Sequence, residues 1–596
     1  MAPLVVTRAV DCKSDVCSLW NVLTDTERLN RAVGMEKVAF TPKTDGVGAA
    51  RFVGQTVLGG IAAEYDELPF EFEYLKRYRV RRRMHGGPAS ELTFGLRFDP
   101  QSSGDGTRVV VELGISPRMG LLAPFLRLSA AGSMRKLEEE VRRVDRSLAV
   151  RGKPPPLPRT GAIDEEAIAR VTAKLLERCD PDLVRRLVAL VRDGSDLDAS
   201  RIRPFVLADE WQKDRRDVLG VALSAVKEGL LELRWELVCP SCRVASGTVP
   251  TLSQLGEHGV CQLCDLDFGL DVDESVEATF SPSPAIREVD VGPYCIGGPA
   301  RVPHVMVQEV LPANGKATMP APTEPGRYRL FVRGGKAASL EVVADQPMKL
   351  SVSTDALPTD PIKVGPGASI EIANAGDETH AKIEQSSWAS QAATARDVTS
   401  LAEFRRDFAS DVLRPGASLR VSNVTLFFSD LTGSTQLYSE IGDAAAFRLV
   451  QDHFDVVLSV IEHHHGSLVK TIGDAVMAVF ASEVDGVRAS LAVLEEFARF
   501  RKTTDVRSKV DIKLGLYGGP CYVVTANGIL DYFGQTVNIA ARLQGQAESG
   551  ELVVDESLGQ RSVDRGIVEA RMVGERWSPK LKGVHEDVRA MRIRVA

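Results

Sequence analysis

The 596-residue chain lacks several features that mark familiar classes of protein. It has no apolar run close to the roughly 20 residues that a membrane-spanning helix needs. It opens without the basic segment and long apolar stretch of a secretory signal. It has no excess of positive charge, and its net charge of −8 argues against a nucleic-acid binder or a polybasic membrane protein. These absences predict a cytoplasmic protein with no membrane span and no nucleic-acid partner.

Cysteine is also scarce. The chain has nine, an odd number that fits a reducing compartment better than a disulfide framework. Four of them form two Cys-x-x-Cys pairs separated by 18 residues, a spacing that suits a structural zinc ion held by four thiolates. A degenerate ribbon without metal is the alternative. The four are Cys239, Cys242, Cys261 and Cys264.

Two short motifs in the last third of the chain each place an aspartate beside a turn. Residues 424–428 are a β-branched and aromatic run, which predicts a buried strand that delivers Asp430 to its end. Residues 467–480 predict a β-hairpin with Asp474 at its tip. Two carboxylates on neighbouring strand ends can share Mg²⁺ ions together with substrate phosphate oxygens. Taken singly, either aspartate could be an ordinary turn residue.

A third motif, residues 531–542, contains the carboxylate of Asp531, the amide of Asn538 and the guanidinium of Arg542. Residues 536–543 are compatible with a helix, so Asn538 and Arg542, four residues apart, can project from one face. The three motifs, in this order, resemble those of the class III nucleotidyl cyclases. The resemblance implies a ferredoxin-like α/β fold for the C-terminal domain.

The resemblance also implies a role for each matching residue. Asp430 and Asp474 would bind two Mg²⁺ or Mn²⁺ ions per active site, with the backbone carbonyl of Leu431 as a further ligand. Asn538 would orient the ribose. Arg542 would neutralise the charge that builds on the transferring phosphoryl group.

Lys470 and Asp531 match the family's base-reading pair. Adenine offers an acceptor at N1 to a lysine and an amino donor at N6 to a carboxylate, whereas guanine presents the reverse pattern. Because mispaired buried polar groups discriminate strongly, the pair predicts ATP as substrate and an adenylate cyclase that makes 3′,5′-cyclic AMP and pyrophosphate. The alternatives are a guanylate cyclase and an inactive cyclase-like scaffold that binds nucleotide as a regulator.

Two lysines match the family less closely. Lys513 stands where an arginine often faces phosphates, and this replacement keeps the charge but loses the bidentate fork. Lys582 resembles a lysine that closes over the triphosphate, although a solvated surface lysine explains it nearly as well. The histidines at 463–465 end a predicted helix of about 444–462, where cationic side chains suit the helix dipole.

In the cyclase family the site forms between two catalytic domains. One domain supplies the metal-binding carboxylates, and the other supplies the base-reading pair, the amide and the guanidinium. This chain has one such domain, which carries both sets. The resemblance therefore implies a homodimer with two equivalent sites and an inactive monomer.

The N-terminal part alternates β-like runs with helices. Its order of elements, with Trp20 and the segment 24–29, resembles START-like (SRPBCC) domains, whose helix-grip α+β fold curls a sheet around a long C-terminal helix. The resemblance implies a small apolar ligand between sheet and helix; a filled core with a scaffolding role is the alternative. Strands are expected near 50–57, 70–83, 92–98 and 107–114, and helices near 14–33 and 121–148.

The whole chain is predicted to be a multidomain α+β protein, because its length allows about four domains. Its middle part resembles the domain of unknown activity found before many soluble bacterial cyclase domains. The predicted units are a START-like domain (1–150), a proline-rich linker (151–160), a helical segment resembling a winged helix (161–235), a zinc ribbon (236–268), a β-rich region (269–395), a connector (396–420) and the cyclase domain (421–596).

Overall fold

The computed structural model describes most of the chain, in which mixed, helical and β-rich segments follow one another. No helix in these residues is both long and apolar enough to cross a membrane. The described residues are 3–43, 49, 52–58, 61–101, 106–269, 275–289, 297–385, 391–408, 413, 417–433, 439–503, 507, 510–584 and 587–595.

The N-terminal domain is an antiparallel sheet, with strand order β1-β8-β7-β6-β4-β3-β2, packed against a long last helix. Its strands are β1 (Leu4–Cys12), β2 (Ala39–Pro42), β3 (Phe52–Leu58), β4 (Ile61–Glu67), β5 (Glu71–Glu73), β6 (Arg77–Met84), β7 (Ala89–Pro100) and β8 (Thr107–Pro117). Its helices are α1 (Val16–Leu23), α2 (Thr26–Ala32) and α3 (Ala123–Arg151).

The prediction of one helix over 14–33 is wrong, because the chain breaks between α1 and α2. The Thr24 hydroxyl donates to the carbonyl of Trp20 at 2.8 Å, and Asp25 then caps α2 by accepting from the Arg28 amide at 3.1 Å. The predicted strand 70–83 also divides, into β5 and β6, at a turn in which Leu75 has a φ of 62°. Between α1 and α2, local capping therefore outweighs the apolar pattern that had predicted one continuous helix.

Aromatic side chains fill the core of this domain. The Trp20 ring lies 5.3 Å from that of Phe98, and the Phe70 ring lies 6.1 Å from that of Tyr78. Buried side chains of α3, including Met134, join the same cluster. The described residues thus favour the filled core over an apolar ligand site. The START-like assignment stays a prediction.

The middle of the chain begins with a helical group that runs into two small sheets. Strands β10, β9 and β13 form one sheet, and β11 pairs with β12 in a hairpin. The helices are α4 (Glu165–Leu176), α5 (Pro181–Asp193), α6 (Asp196–Ser200), α7 (Pro204–Trp211) and α8 (Arg215–Lys227). The strands are β9 (Leu231–Val238), β10 (Ala245–Val249), β11 (His258–Cys261), β12 (Leu266–Gly269) and β13 (Val276–Pro282).

The following β-rich region is not separate from the N-terminal domain. Strand β5 pairs with β14, and a sheet of 13 strands continues through β21, β16 and β17 to β19. Strands β15, β20 and β18 form the facing sheet. The strands are β14 (Val305–Leu311), β15 (Lys316–Pro320), β16 (Gly326–Val332), β17 (Lys336–Val342), β18 (Lys349–Ser353), β19 (Ile362–Val364), β20 (Ser369–Ala373) and β21 (Thr379–Gln385).

A connector of two short helices, α9 (Ala395–Thr399) and α10 (Ala402–Asp407), leads to the C-terminal domain. The sheet of that domain has the order β23-β24-β22-β25-β27-β29-β28, with β26 paired to β25. Its strands are β22 (Ser418–Thr432), β23 (Ser467–Ile472), β24 (Ala475–Phe480), β25 (Asp511–Ala526), β26 (Ile529–Phe533), β27 (Glu551–Asp555), β28 (Val573–Trp577) and β29 (Ala590–Arg594). Its helices are α11 (Asp443–His463), α12 (Glu483–Arg501), α13 (Gln535–Gln544) and α14 (Glu556–Asp564).

The two faces of the C-terminal sheet pack against different partners. Helices α11 and α12 cover one face, where Phe427 and Phe480 join their buried side chains. Successive side chains of β22 point to opposite faces of the sheet. Phe428 therefore lies on the face opposite Phe427, in a cluster that also contains Phe404 of α10. The connector is therefore part of the core that supports the strands of the candidate site.

Candidate functional site

The predicted strand and hairpin bring the two aspartates of the first motifs to neighbouring strand ends. In the β22–β24 pairing Ser429 lies opposite Val476, and the Ser429 hydroxyl accepts from the Val476 amide at 3.3 Å. In the β23–β24 hairpin Ile472 pairs with Ala475, which leaves Gly473 and Asp474 as the turn. Continuing the first register places Asp430 beside that turn.

The donor set of this end of the sheet fits a hard cation. The Oδ2 atom of Asp474 is buried and has no hydrogen-bond partner within the described part of the chain. The Asp430 side chain is 31% exposed, so it is open to a ligand. Leu431 follows in the same strand, its side chain buried. Carboxylate and carbonyl oxygens of this kind are the ligands that Mg²⁺ and Mn²⁺ prefer.

Lys513 lies beside this carboxylate pair. It is the cross-strand partner of Asp430 between β22 and β25, and its ammonium contacts Asp430 Oδ2 at 2.9 Å. The structure therefore places Lys513 against a candidate metal ligand, and its predicted contact with phosphates stays a prediction. Its cation balances part of the negative charge of the site.

Sequence reasoning missed His453, which lies behind the aspartates in α11. The ring is wholly buried, and Nδ1 donates to the Val450 carbonyl at 2.6 Å. Burial lowers the pKa of His453, while the nearby carboxylates of Asp474 and Asp430 oppose that shift. An isolated histidine on an apolar helix face carries no sequence signal that distinguishes it from ordinary core.

The structure also brings together the base-reading pair. Lys470 in β23 contacts Asp531 in β26, with Nζ 2.5 Å from Oδ2. Their side chains are 35% and 12% exposed, so both are largely shielded but reachable from one side. The second oxygen of Asp531 accepts from the Tyr532 amide at 2.8 Å, which fixes the carboxylate. Lys470 and Asp531 are 61 residues apart in the sequence, and the fold brings them together.

Helix α13 presents the remaining pair. Asn538 and Arg542 are both exposed and lie one turn apart on the same face. The helix packs closely on β25, because a side chain at Gly515 would come within 2.3 Å of the Gln544 amide nitrogen. Lys582 lies in an exposed turn near the end of the chain, where the structure gives it no specific contact with the other site residues.

The four cysteines of the middle region converge as their spacing predicts. All are buried, and their Sγ atoms lie within 4.8 Å of one another. One pair forms the turn between β9 and β10, and the other the turn between β11 and β12. In each turn the residue after the second cysteine has positive φ, 59° at Arg243 and 55° at Asp265. The two turns thus have equivalent backbone geometry, compatible with a tetrahedral metal centre.

Three amide–sulfur and ammonium–sulfur contacts surround these thiols. The Ser241 amide donates to Cys239 Sγ at 3.4 Å, and the Cys264 amide donates to Cys261 Sγ at 3.4 Å. Lys382 of β21, which is 1% exposed, places Nζ 3.6 Å from Cys264 Sγ. Such donors stabilise thiolates.

The charge of Lys382 depends on these neighbours. Burial opposes the ammonium, but Cys264 and Glu384 outweigh that cost and raise the pKa of Lys382. Hydrogen bonds from the other three cysteines lower the pKa of Cys264. Lys382 was not predicted, because 118 residues separate it from Cys264 and no local motif marks it.

Comparison with known proteins assigns two segments. Residues 417–574 match the family described as the adenylate and guanylate cyclase catalytic domain. Residues 165–293, which include the thiol cluster, match a family of unknown function (DUF5939). The second match names no activity.

Individual relatives align with about a quarter of the chain. The receptor-type guanylate cyclase gcy-4 of Caenorhabditis elegans is 30% identical over 145 residues, 22% of this chain and 13% of that protein. The atrial natriuretic peptide receptor 2 of Anguilla japonica is 26% identical over 166 residues, 26% of this chain and 16% of that protein. The chain thus spans less than a fifth of the length of these relatives.

A solved structure, that of the adenylyl cyclase CyaB from P. aeruginosa, is 22% identical, covers 30% of this chain and 97% of its own, and has a TM-score of 0.26. The description of the matching family covers both adenylate and guanylate cyclases, so the match does not distinguish ATP from GTP. The C-terminal part of the chain is therefore similar to adenylate and guanylate cyclase catalytic domains.

Proposed function

We propose that the protein is an adenylate cyclase that converts ATP to 3′,5′-cyclic AMP and pyrophosphate as a homodimer. One observation carries the proposal: a single domain contains residues that match both complementary halves of a cyclase site. Asp430 and Asp474 form the metal-binding half. The other half consists of the close Lys470–Asp531 pair together with Asn538 and Arg542 of α13. In the dimer this half would face the metal-binding half of the partner protomer.

The side chains support a defined division of labour. When bound at the aspartates, Mg²⁺ or Mn²⁺ supplies charge that acidifies the ribose 3′ hydroxyl and holds the triphosphate. Asn538 orients the ribose, and Arg542 stabilises the charge that builds on the α-phosphoryl group. The bond from O3′ to the α-phosphorus forms, the bond from that phosphorus to the bridging oxygen of pyrophosphate breaks, and the hydroxyl proton leaves to solvent.

The ion pair of Lys470 and Asp531 supports ATP over GTP. Lys470 can donate to adenine N1 while Asp531 accepts from the N6 amino group, and guanine would meet both groups with the wrong polarity. A guanylate cyclase is the alternative within the same family. An inactive scaffold is disfavoured because the domain keeps both aspartates, the amide and the guanidinium.

The first experiment measures product. Purified full-length protein is incubated with ATP or GTP and Mn²⁺ or Mg²⁺, and cyclic nucleotides are quantified by mass spectrometry beside Asp430→Ala. We expect cyclic AMP from ATP, little cyclic GMP from GTP, and neither from the variant. Absence of product from both nucleotides with the wild-type protein would reject the enzyme in favour of the scaffold.

A mixing experiment tests the homodimer. Asp430→Ala and Arg542→Ala damage opposite halves of the site, so a mixed dimer of the two keeps one intact site. If half of the dimers are mixed, about a quarter of the wild-type activity should return. The matched control mixes Asp430→Ala with Asp474→Ala, which damage the same half and should restore nothing. Equal recovery in both mixtures would reject a site shared between protomers.

A charge exchange tests the base preference. In the double variant Lys470→Glu and Asp531→Lys the polarity of the pair is reversed, so the ratio of ATP to GTP turnover should fall by about tenfold or more. Lys582→Glu makes a like change at an exposed lysine and should leave the ratio unchanged. An unaltered ratio in the double variant would assign base recognition elsewhere.

We also propose that the four cysteines hold a structural Zn²⁺. The convergence of four buried sulfurs leaves no open position for a substrate, which suits a structural rather than a catalytic role. Elemental analysis of protein purified without added metal should find one zinc per chain. The domains around this site would then regulate the cyclase in intracellular signalling. The protein would act in the cytoplasm, a compartment that keeps thiols reduced.

A further inference from the structure

The connector is held between the middle region and the cyclase sheet. Phe404 of α10 packs edge-on against Trp235 of β9, with ring centroids 5.9 Å apart, and both rings are wholly buried. Phe408, at the end of α10, stacks on Phe404 with ring centroids 5.3 Å apart. These contacts fix α10 to the part of the chain that precedes the cyclase domain.

The next residue, Arg405, points the other way, into the cyclase domain. Its Nε donates to the Leu468 carbonyl at 3.0 Å, and its Nη2 donates to the Leu530 carbonyl at 2.6 Å. The guanidinium also lies 5.5 Å from the centre of the buried Tyr532 ring. One planar fork thus joins two carbonyls of the cyclase domain, a geometry that arginine provides and lysine does not.

The two carbonyls belong to the strands that carry the base-reading pair. Leu468 lies two residues before Lys470 in β23, and Leu530 directly precedes Asp531 in β26. Within the described residues β23 pairs only with β24, and β26 pairs only with β25, so no hydrogen-bond ladder joins the two strands directly. The Arg405 guanidinium links them across that gap.

We propose that Arg405 is a positioning residue for purine recognition, which holds β23 and β26 at the separation at which Lys470 and Asp531 engage one base. The inference rests on the proposed function of that pair. It makes base affinity depend on a residue outside the cyclase fold. A displacement of α10 would then weaken nucleotide binding.

The test compares Arg405→Gln with Arg406→Gln. Arg406 is the adjacent, exposed arginine and pairs with Asp407 at 3.2 Å, so its variant controls for loss of charge on α10. For Arg405→Gln in the full-length protein we expect the KM for ATP to rise about tenfold, the scale of losing hydrogen bonds from a charged group, with a smaller fall in kcat. Preference for ATP over GTP should narrow. Arg406→Gln should match the wild type.

Arg405→Lys provides a second variant if the glutamine disturbs folding. A lysine keeps the charge but cannot bridge both carbonyls, so its KM should lie between those of the wild type and Arg405→Gln. An unchanged KM in Arg405→Lys and Arg405→Gln would overturn the proposal. A fall in kcat alone, at constant KM and constant base preference, would also overturn it.

A readout that needs no turnover separates this proposal from the proposed activity. Hydrogen exchange of residues 467–472 and 529–533, and equilibrium dialysis with ATP, are measured for the same variants. Arg405→Gln should speed exchange in both strands and weaken ATP binding, even if the wild type forms no cyclic nucleotide. Faster exchange with unchanged ATP binding would show a purely structural arginine and overturn the proposal.

Discussion

The thiol cluster and the carboxylate pair are both candidate metal sites, yet they are built in opposite ways. Four cysteines from two adjacent turns converge within 4.8 Å and are all buried, so the first site is complete within one chain. The second offers Asp430, which is 31% exposed, and Asp474, whose buried Oδ2 has no hydrogen-bond partner within the described residues. The second site is therefore accessible to solvent at Asp430.

The difference separates two uses of a metal. A closed set of thiolates leaves no coordination position for a substrate, so its binding free energy is available for folding. An open pair of carboxylates contributes little to stability but can exchange its remaining ligands with phosphate oxygens. Damage to the closed site should therefore change stability, and damage to the open site should change chemistry.

The largest effect is expected at the open site. Asp474→Asn removes a negative charge from the metal-binding half, and cyclic AMP formation should fall on the order of a thousandfold, the scale of losing electrostatic stabilisation of a transition state. Zinc content and the unfolding temperature should stay at wild-type values. Asp564→Asn, at the exposed end of α14, is the matched control. A loss of zinc in Asp474→Asn would contradict the separation of the two sites.

The next effect concerns the closed site. Cys264→Ser removes one of four ligands, and we expect purified protein with well under one zinc per chain and a middle region that is cleaved faster by protease, because metal binding and folding are coupled. Cys17→Ser changes an exposed thiol that is not part of the cluster and should do neither. Full zinc content in Cys264→Ser would mean that the cluster does not bind metal through this cysteine.

A smaller change should follow at Lys382. Lys382→Met keeps much of the side-chain volume but removes the ammonium that lies 3.6 Å from Cys264 Sγ. Zinc affinity should fall about tenfold, the lower end of the range for a group that hydrogen-bonds a metal ligand. Competition with a coloured chelator measures it, with Lys349→Met on the exposed start of β18 as control. Equal affinities would leave Lys382 without a role at the cluster.

Local signals explain what the sequence could predict. Three elements of the candidate site were predicted from residues within about ten positions of one another, and the structure contains all three. They are the strand through 424–428, the hairpin with Asp474 and the helix that contains Asn538. The thiol cluster was predictable for the same reason, since each pair lies in one turn. Where the chemistry is carried by short motifs, pattern and fold agree.

Long-range contacts explain what it could not predict. Strand β14 extends the N-terminal sheet through Val307 and Gln308, which lie more than 230 residues along the chain from their partners in β5, so no local pattern predicted that this sheet continues into residues 269–395. Arg405 and Lys382 were missed likewise. Each is an ordinary basic residue in its own segment, and only the fold shows the carbonyls or the sulfur that it contacts.

A further expected effect is a pH dependence that belongs to the closed site. His304 is buried, and its Nε2 donates to the carbonyl of Ser241, within the first cysteine turn, at 2.7 Å. Burial lowers the pKa of His304 from its ordinary 6.5 to about 3, with Lys382 and Arg243 acting in the same direction and the Ser241 hydrogen bond opposing it. In the folded protein the ring is therefore neutral across the range in which an unfolded chain takes up a proton.

The sign follows from that depressed pKa. The stabilising contribution is complete above about pH 6.5 and is lost progressively as the pH falls towards 3, because protons bind the unfolded state first. Between pH 7 and pH 5 the loss is about 2 kcal/mol, at 1.36 kcal/mol for each pH unit below 6.5. His304→Gln can keep the donor to Ser241 but does not titrate, so its stability should fall less over the same range.

Urea unfolding, monitored by hydrogen exchange of the turn at 239–244, compares the wild type with His304→Gln at pH 7 and pH 5. Zinc content is measured in parallel, since protonation of the thiolates would also release metal and would affect both proteins alike. A shallower pH dependence in His304→Gln, at equal zinc content, assigns the difference to the histidine. Identical slopes would place the acid sensitivity of the closed site in the thiolates themselves.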